Sequence, residues 1–117
     1  MTMTEPLNVI QPDGAAKGLD EKIDAAELLH SYRTMLAVRA FDAICLKLQR
    51  SGRIGFSIPN EGVEATQVGA ASALRKSDWI FPSYRDFGMA LYHGVPAVEL
   101  LHSYRTLLAV RAFDAIC

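Results

Sequence analysis

The sequence predicts a mainly α-helical chain on three grounds. Two nearly identical stretches, residues 25–45 and 97–117, place apolar residues at helical spacing with no proline or glycine inside either. Aspartates stand at 24 and 86, where a helix can begin, and glycines at 52 and 94, where one can end. We expect helices near 25–50, 62–74, 86–92 and 97–117, and one short strand at Trp79-Ile80-Phe81.

The first segment, residues 1–23, is predicted to be an extended arm. Prolines and glycines recur along it and interrupt any regular structure. Its apolar residues Leu7, Val9 and Ile10 can lie against a partner as a strand.

The first predicted helix begins after Asp24, with Glu27 three residues later in a D-x-x-E variant of the capping box. It runs to about Arg50, and Ser51-Gly52 ends it. Its apolar residues cover more than one stripe, so we expect neighbours on two sides. They are Leu28, Leu29, Tyr32, Met35, Leu36, Val38, Phe41, Ile44 and Leu48.

An irregular link over 53–60 leads to the second helix, whose run Gly69-Ala70-Ala71 is small enough to let another backbone come close. Glu61 and Glu64 are three residues apart at its start. They are either paired carboxylates for acid-base chemistry or first-turn acids that complement the helix dipole. The second interpretation needs no further assumption and is favoured.

The segment from Phe81 to Asp86 is the strongest candidate for a binding site. Pro82 turns the chain, and Asp86 is expected to cap the next helix, which leaves Tyr84 and Arg85 at a helix N-terminus. Backbone N–H groups, the guanidinium fork and the tyrosine hydroxyl together suit a phosphate group. The alternative is a surface ion pair between Arg85 and Asp86.

Composition fits one small core and argues against two classes of partner. At 117 residues and 50% hydrophobic composition, the chain is at most one domain. Its net charge of −1 argues against binding to nucleic acid or to an acidic membrane. We find no targeting signal and no membrane-spanning run, so we expect cytoplasmic localisation. Cys45 and Cys117 lack metal-ligand spacing and are expected to be small buried apolar residues.

The chain repeats itself. Residues 25–45 recur at 97–117 with differences only at Ala26/Val98 and Met35/Leu107. Two copies are too few for a solenoid, which needs about three repeats to bury a continuous core. The predicted organisation is an arm over 1–23, a unit over 24–101, and residues 102–117 as a second copy of 30–45.

Several ordered motifs carry a resemblance to a known family. They are GRIGF at 52–56, GVEA at 62–65, QVG at 67–69, DWIFP at 78–82 followed by YR at 84–85, and HGVP at 93–96. From about Leu7 to Leu101 the chain resembles the α subunit of the thiamine-diphosphate-dependent 2-oxo acid dehydrogenase E1 component, of the pyruvate and branched-chain type. That family has an α/β thiamine-diphosphate-binding fold, of which this chain would be the N-terminal part.

The resemblance implies roles for five residues. Tyr84 and Arg85 would hold the diphosphate of thiamine diphosphate. Phe56, Ser57 and Ile58 would line the entrance to the 2-oxo acid pocket, with core packing as an alternative for Phe56 and Ile58. The resemblance also implies oxidative decarboxylation of pyruvate or a branched-chain 2-oxo acid, acyl transfer to lipoyl, and as partners an E1 β subunit and a lipoyl-bearing E2.

The sequence departs from the family in two ways. The metal signature, Gly-Asp-Gly followed by Asn, is missing although the complete enzyme uses magnesium, so we expect neither a metal ligand nor a catalytic group here, and no activity of this chain alone. The second helix copy stands where relatives continue into a glycine-rich segment. The other hypothesis is therefore a non-catalytic helical assembly module, engineered or produced by an assembly error, that self-associates through its repeated helices.

Overall fold

The computed structural model describes residues 11–15 and 24–104. Three helices lie within this part: α1 (Ala25–Arg50), α2 (Glu64–Ser72) and α3 (Phe87–Tyr92). A fourth, α4, is helical over 97–104, up to the end of the described residues. No strand occurs in these two ranges, so the prediction of a mainly α chain is confirmed. No helix described there is long and apolar enough to cross a membrane.

The predicted strand at residues 79–81 is wrong. These residues are irregular, and the side chains of Trp79 and Phe81 are 86% and 88% exposed with their rings stacked 6.4 Å apart. A strand needs a neighbouring backbone to complete its hydrogen bonds, and the described part of the chain supplies none here. The predicted strand of Leu7, Val9 and Ile10 lies outside the described residues, as does 105–117, so those predictions remain.

The capping box predicted for α1 is also wrong. Asp24 occupies the N-cap position but makes no side-chain hydrogen bond to the helix. Glu27 instead accepts a hydrogen bond from the Tyr92 hydroxyl, 65 residues further along the chain. A tertiary partner on α3 has taken the carboxylate that local spacing assigned to the helix end.

The core lies where α1 meets α3 and α4. Val38, Phe41 and Cys45 lie along one side of α1 and pack with Ile54 and Phe87. The Phe41 ring meets that of Phe87 edge-on at 4.8 Å. Leu100, Leu101 and Tyr104 of α4 pack against this cluster. Cys45 is buried as expected, and burial raises the pKa of its thiol to about 11, whereas Cys117 lies outside the described residues.

The two copies of the repeated sequence use the same residues differently. Leu28, Tyr32 and Leu36 are four residues apart on one side of α1, and about half of each side chain is exposed. In α4, Leu100 corresponds to Leu28 and Tyr104 to Tyr32, and both pack on the core. One sequence therefore presents the same apolar side to solvent in α1 and to the protein in α4.

Candidate functional site

A short turn over residues 83–86 carries the two residues singled out as anion ligands. The Asp86 carboxylate accepts hydrogen bonds from the Ser83 backbone N–H at 3.0 Å and from the Ser83 hydroxyl at 2.6 Å. Asp86 occupies the N-cap position of α3 but makes no side-chain bond to that helix. The predicted capping role is therefore wrong, because the carboxylate closes the preceding turn instead.

Arg85 is held by main-chain oxygen rather than by a carboxylate. Its Nη2 donates to the carbonyl of Pro59 at 3.1 Å. Its Nε is shielded from water and finds no acceptor within the described part of the chain. The ion pairs found there join Arg39 to Glu64 and Arg75 to Asp78, so the alternative of an Arg85–Asp86 pair is not what the structure contains.

Tyr84 lies beside Phe56, as a shared site requires. The two rings meet edge-on at 5.9 Å, and each side chain is about half exposed. The Tyr84 carbonyl accepts a 2.6 Å hydrogen bond from the hydroxyl of Tyr104, whose pKa burial raises to about 12. The link over 53–60 and the turn over 83–86 are therefore neighbours in the folded chain.

The other two residues expected near the substrate entrance lie differently. The Ser57 residue is half-buried and lies close to the Cys45 thiol of α1. Ile58 is half-buried in the same link. The structure thus places Phe56 against Tyr84, the residue before Arg85, whereas Ser57 lies close to the Cys45 thiol.

The residue at the centre of this region is Gln67 of α2, which the sequence analysis named only within the QVG motif, without a role. Its side chain is 6% exposed, and its amide nitrogen donates to Asn60 Oδ1 at 2.6 Å and to the carbonyl of Arg85 at 2.7 Å. Its Oε1 accepts from the backbone N–H of Gly88 at 2.8 Å. The Gly88 N–H, in the first turn of α3, therefore already has an acceptor. Because α3 has only six residues, its helix dipole is also small. An anion at this turn would depend on Arg85 and Tyr84 rather than on the helix end.

Asn60 connects Gln67 to the first helix. It is fully buried, and its backbone N–H and side-chain amide both donate to the Asp42 carboxylate, at 2.6 Å and 3.2 Å. Buried polar groups are stable only when paired in this way. The QVG motif was a signal for Gln67, and a polar Asp42 within the apolar run of α1 was another, but nothing in their spacing identifies their partners.

Glu64 is structural by its contacts. One carboxylate oxygen accepts from Arg39 Nε at 2.6 Å and the other from the Gly62 backbone N–H at 2.9 Å. The hydrogen bond from Arg39 holds the pKa of this carboxyl below its usual value. Glu61 is exposed. The pair is therefore not arranged for shared acid-base chemistry. Glu64 is a first-turn acid of α2, as the favoured interpretation has it, whereas Glu61 precedes the helix.

Arg85 and Tyr84 suit a diphosphate. The Arg85 side chain is partly exposed and makes no ion pair among the described residues, and a phosphate oxygen is a strong acceptor for such a guanidinium. The nearest carboxylate in sequence, Asp86, is engaged by Ser83 and so does not neutralise the guanidinium. The half-exposed tyrosine can add a hydroxyl donor.

Comparison with known proteins agrees with the motifs. The family described as "Dehydrogenase E1 component" matches residues 32–107. The 3-methyl-2-oxobutanoate dehydrogenase subunit alpha of Mycobacterium tuberculosis is 39% identical over 95 residues, which are 79% of this chain and 26% of that protein. The 2-oxoisovalerate dehydrogenase subunit alpha of Bacillus subtilis is 47% identical over 78 residues, 66% of this chain and 24% of that protein.

A third relative extends the range of substrates named. The pyruvate dehydrogenase E1 component subunit alpha of Staphylococcus aureus is 36% identical over 92 residues, 79% of this chain and 24% of that protein. The chain thus spans about a quarter of the length of these curated relatives. Because the family match covers most of the chain, including the link over 53–60, α2 and the turn that carries Tyr84 and Arg85, the chain belongs to the dehydrogenase E1 component family.

Proposed function

We propose that this chain supplies part of the thiamine diphosphate site of an E1 α subunit, with Tyr84 and Arg85 as the residues that hold the diphosphate. The observation that carries this is the partly exposed guanidinium of Arg85, which makes no ion pair among the described residues and lies next to the half-exposed Tyr84. Phe56, which meets Tyr84 edge-on, and Ile58 would border the entrance for the 2-oxo acid. The relatives are named as alpha subunits of dehydrogenases for 3-methyl-2-oxobutanoate, 2-oxoisovalerate and pyruvate, all of which are 2-oxo acids.

The residues of this chain would bind and orient rather than react. Thiamine diphosphate, when bound, supplies the carbon nucleophile and the electron sink for decarboxylation. Arg85 contributes charge and N–H donors to the phosphate oxygens, and its bond to the Pro59 carbonyl fixes the direction of the guanidinium. Tyr84 contributes one hydroxyl. The E1 β subunit, a lipoyl-bearing E2, magnesium and cytoplasmic localisation belong to this same proposal.

Substitution of Arg85 tests it. We expect Arg85→Met to weaken binding of thiamine diphosphate about 10- to 100-fold, because hydrogen bonds to charged groups are worth about 1.5–3 kcal/mol. Tyr84→Phe should weaken it only a few fold, since one neutral donor is lost. Isothermal titration calorimetry on the purified chain measures both affinities. Arg50→Met, at the exposed end of α1, is the matched control and should bind as the unmodified chain does. Equal affinity of Arg85→Met and the unmodified chain would refute the assignment.

A second candidate function, helical self-assembly, is favoured by the exposed side of α1. A contiguous apolar strip lies on this helix, and each of its side chains is at least 47% exposed. The strip consists of Leu28, Leu29, Tyr32 and Leu36. The identical Leu100, Leu101 and Tyr104 show that this face packs well against helical neighbours. We propose that the strip associates with a second copy of the chain, as an interaction module would.

We expect Leu36→Asp to shift the chain towards monomer without unfolding it. The side chain is 51% exposed, so a charge there costs little in the folded chain but opposes burial at an interface. Sedimentation velocity at several protein concentrations measures the association. Ala37→Asp adds the same charge at an exposed position off the strip and should leave association unchanged. A folded monomer at every concentration of the unmodified chain would exclude this candidate. The equivalent change at Leu108 lies outside the described residues.

A further inference from the structure

We propose that Gln67 is a positioning residue for Arg85, one that fixes both the main chain and the guanidinium of that residue. The inference rests on the diphosphate role proposed above. Gln67 contributes no group to the ligand in this view. It acts by holding the segment that carries Arg85 against α2, through its 2.7 Å hydrogen bond to the Arg85 carbonyl.

The orientation of the Gln67 amide is determined by its three partners. Its nitrogen faces two oxygens, Asn60 Oδ1 and the Arg85 carbonyl, and its oxygen faces the N–H of Gly88. A rotated amide would set oxygen against two oxygens and nitrogen against an N–H. A single arrangement therefore satisfies the site, which is the condition for precise positioning.

Gln67 also reaches the side chain of Arg85 by a second route. Asn60, its other partner, directly follows Pro59, whose carbonyl accepts from Arg85 Nη2 at 3.1 Å. Asn60 is itself anchored to Asp42 of α1 by two hydrogen bonds. Loss of the Gln67 amide therefore releases the carbonyl of Arg85 and loosens the segment that orients its guanidinium.

Gly88 is the residue that makes room for this contact. A Cβ placed on Gly88 would lie 2.5 Å from Gln67 Oε1 and 3.1 Å from Val38 Cγ2. The φ angle of this glycine requires nothing unusual, so the need for glycine is one of space alone. Gly88→Ala must therefore displace the Gln67 amide while it leaves the amide present.

The experiment compares two variants with a matched control in the whole chain. Gln67→Met keeps a similar volume and removes the polar atoms, Gly88→Ala displaces them, and Gln49→Met makes the same chemical change in a half-buried glutamine near the end of α1. The first readout is the Arg85 Nε–H resonance in two-dimensional 1H-15N spectra of the ligand-free protein. The second is the affinity for thiamine diphosphate, and the helical circular dichroism signal reports folding.

We expect Gln67→Met and Gly88→Ala to shift and broaden the Arg85 Nε–H resonance and to weaken thiamine diphosphate binding about tenfold, as loss of supporting partners does in other sites. Gln49→Met should change neither. An unshifted resonance and unchanged affinity in a folded Gln67→Met protein would overturn the proposal. If Gln67→Met does not fold, Gly88→Ala decides by the same readouts. If the unmodified chain does not bind thiamine diphosphate, the proposed function fails, while the resonance of the ligand-free protein still decides the positioning.

Discussion

Phe41→Ala is expected to lower the free energy of unfolding by about 3–5 kcal/mol. Phe41 is 5% exposed, and the centroid of its ring lies 4.8 Å from that of Phe87 and 6.3 Å from that of Tyr104. The truncation leaves a cavity where α1, α3 and α4 meet. In a chain of this size the loss approaches the whole stability, so cooperative unfolding in urea, followed by circular dichroism, should weaken or disappear.

The matched control is Phe81→Ala. This side chain is 88% exposed, and its removal should change the free energy of unfolding by less than about 0.5 kcal/mol. Equal losses in the two variants would contradict the arrangement of the core. Phe41→Ala should also disturb the turn that holds Tyr84 and Arg85, because its ring partner Phe87 lies two residues after Arg85.

The second large effect is expected from the hydrogen-bonded pair of half-buried Asp42 and fully buried Asn60. Asn60→Asp sets a second carboxylate against the first, where the amide now donates at 3.2 Å. At neutral pH we expect a loss of about 3 kcal/mol, the cost of leaving a buried charge without its partner. One of the two facing carboxyls will have a raised pKa in the folded state. Stability relative to the unmodified chain should therefore recover as the pH falls towards the ordinary Asp value of about 4.

The exchanged pair provides the control. Combining Asp42→Asn with Asn60→Asp restores one amide and one carboxylate, and it still offers an acceptor to the Asn60 position's backbone N–H and to the Gln67 amide. We expect this double variant to regain most of the stability lost by the single one and to lose its unusual pH dependence. Thermal unfolding between pH 4 and pH 8 measures both effects. No recovery in the double variant would show that the pair does not carry the network.

The part of the site that could be predicted is its local part. Pro82 and the adjacent Tyr84-Arg85 dipeptide marked the turn, and the resemblance to E1 α subunits named Phe56, Ser57 and Ile58 beside it. Phe56 does lie against Tyr84. Ser57 and Ile58 are half-buried, and Ser57 lies close to the Cys45 thiol of α1. Which of three successive residues faces a site depends on what packs behind the link, and that is not a local property.

The sequence by itself determined α1 and α3 and their ends to within a residue, whereas α2, predicted over 62–74, spans only Glu64–Ser72. Helical spacing of apolar residues predicted α1 with its bounds. Gly52 and Gly94 follow the ends of α1 and α3 with φ of 68° and 90°, a backbone conformation that glycine adopts without strain. These features depend on residues within a turn or two of one another. Local sequence therefore contains all the information that they need.

Only the tertiary structure decided which polar groups meet and which apolar face is covered. Glu27 bonds to Tyr92 rather than to its own helix end, and Gln67 reaches residues 7, 18 and 21 positions away. The repeated sequence gives the sharpest case, since Tyr32 is 56% exposed while the identical Tyr104 packs against Phe41 and Phe87. Identical residues have identical local preferences, so the difference arises from the neighbours that the folded chain places beside each copy.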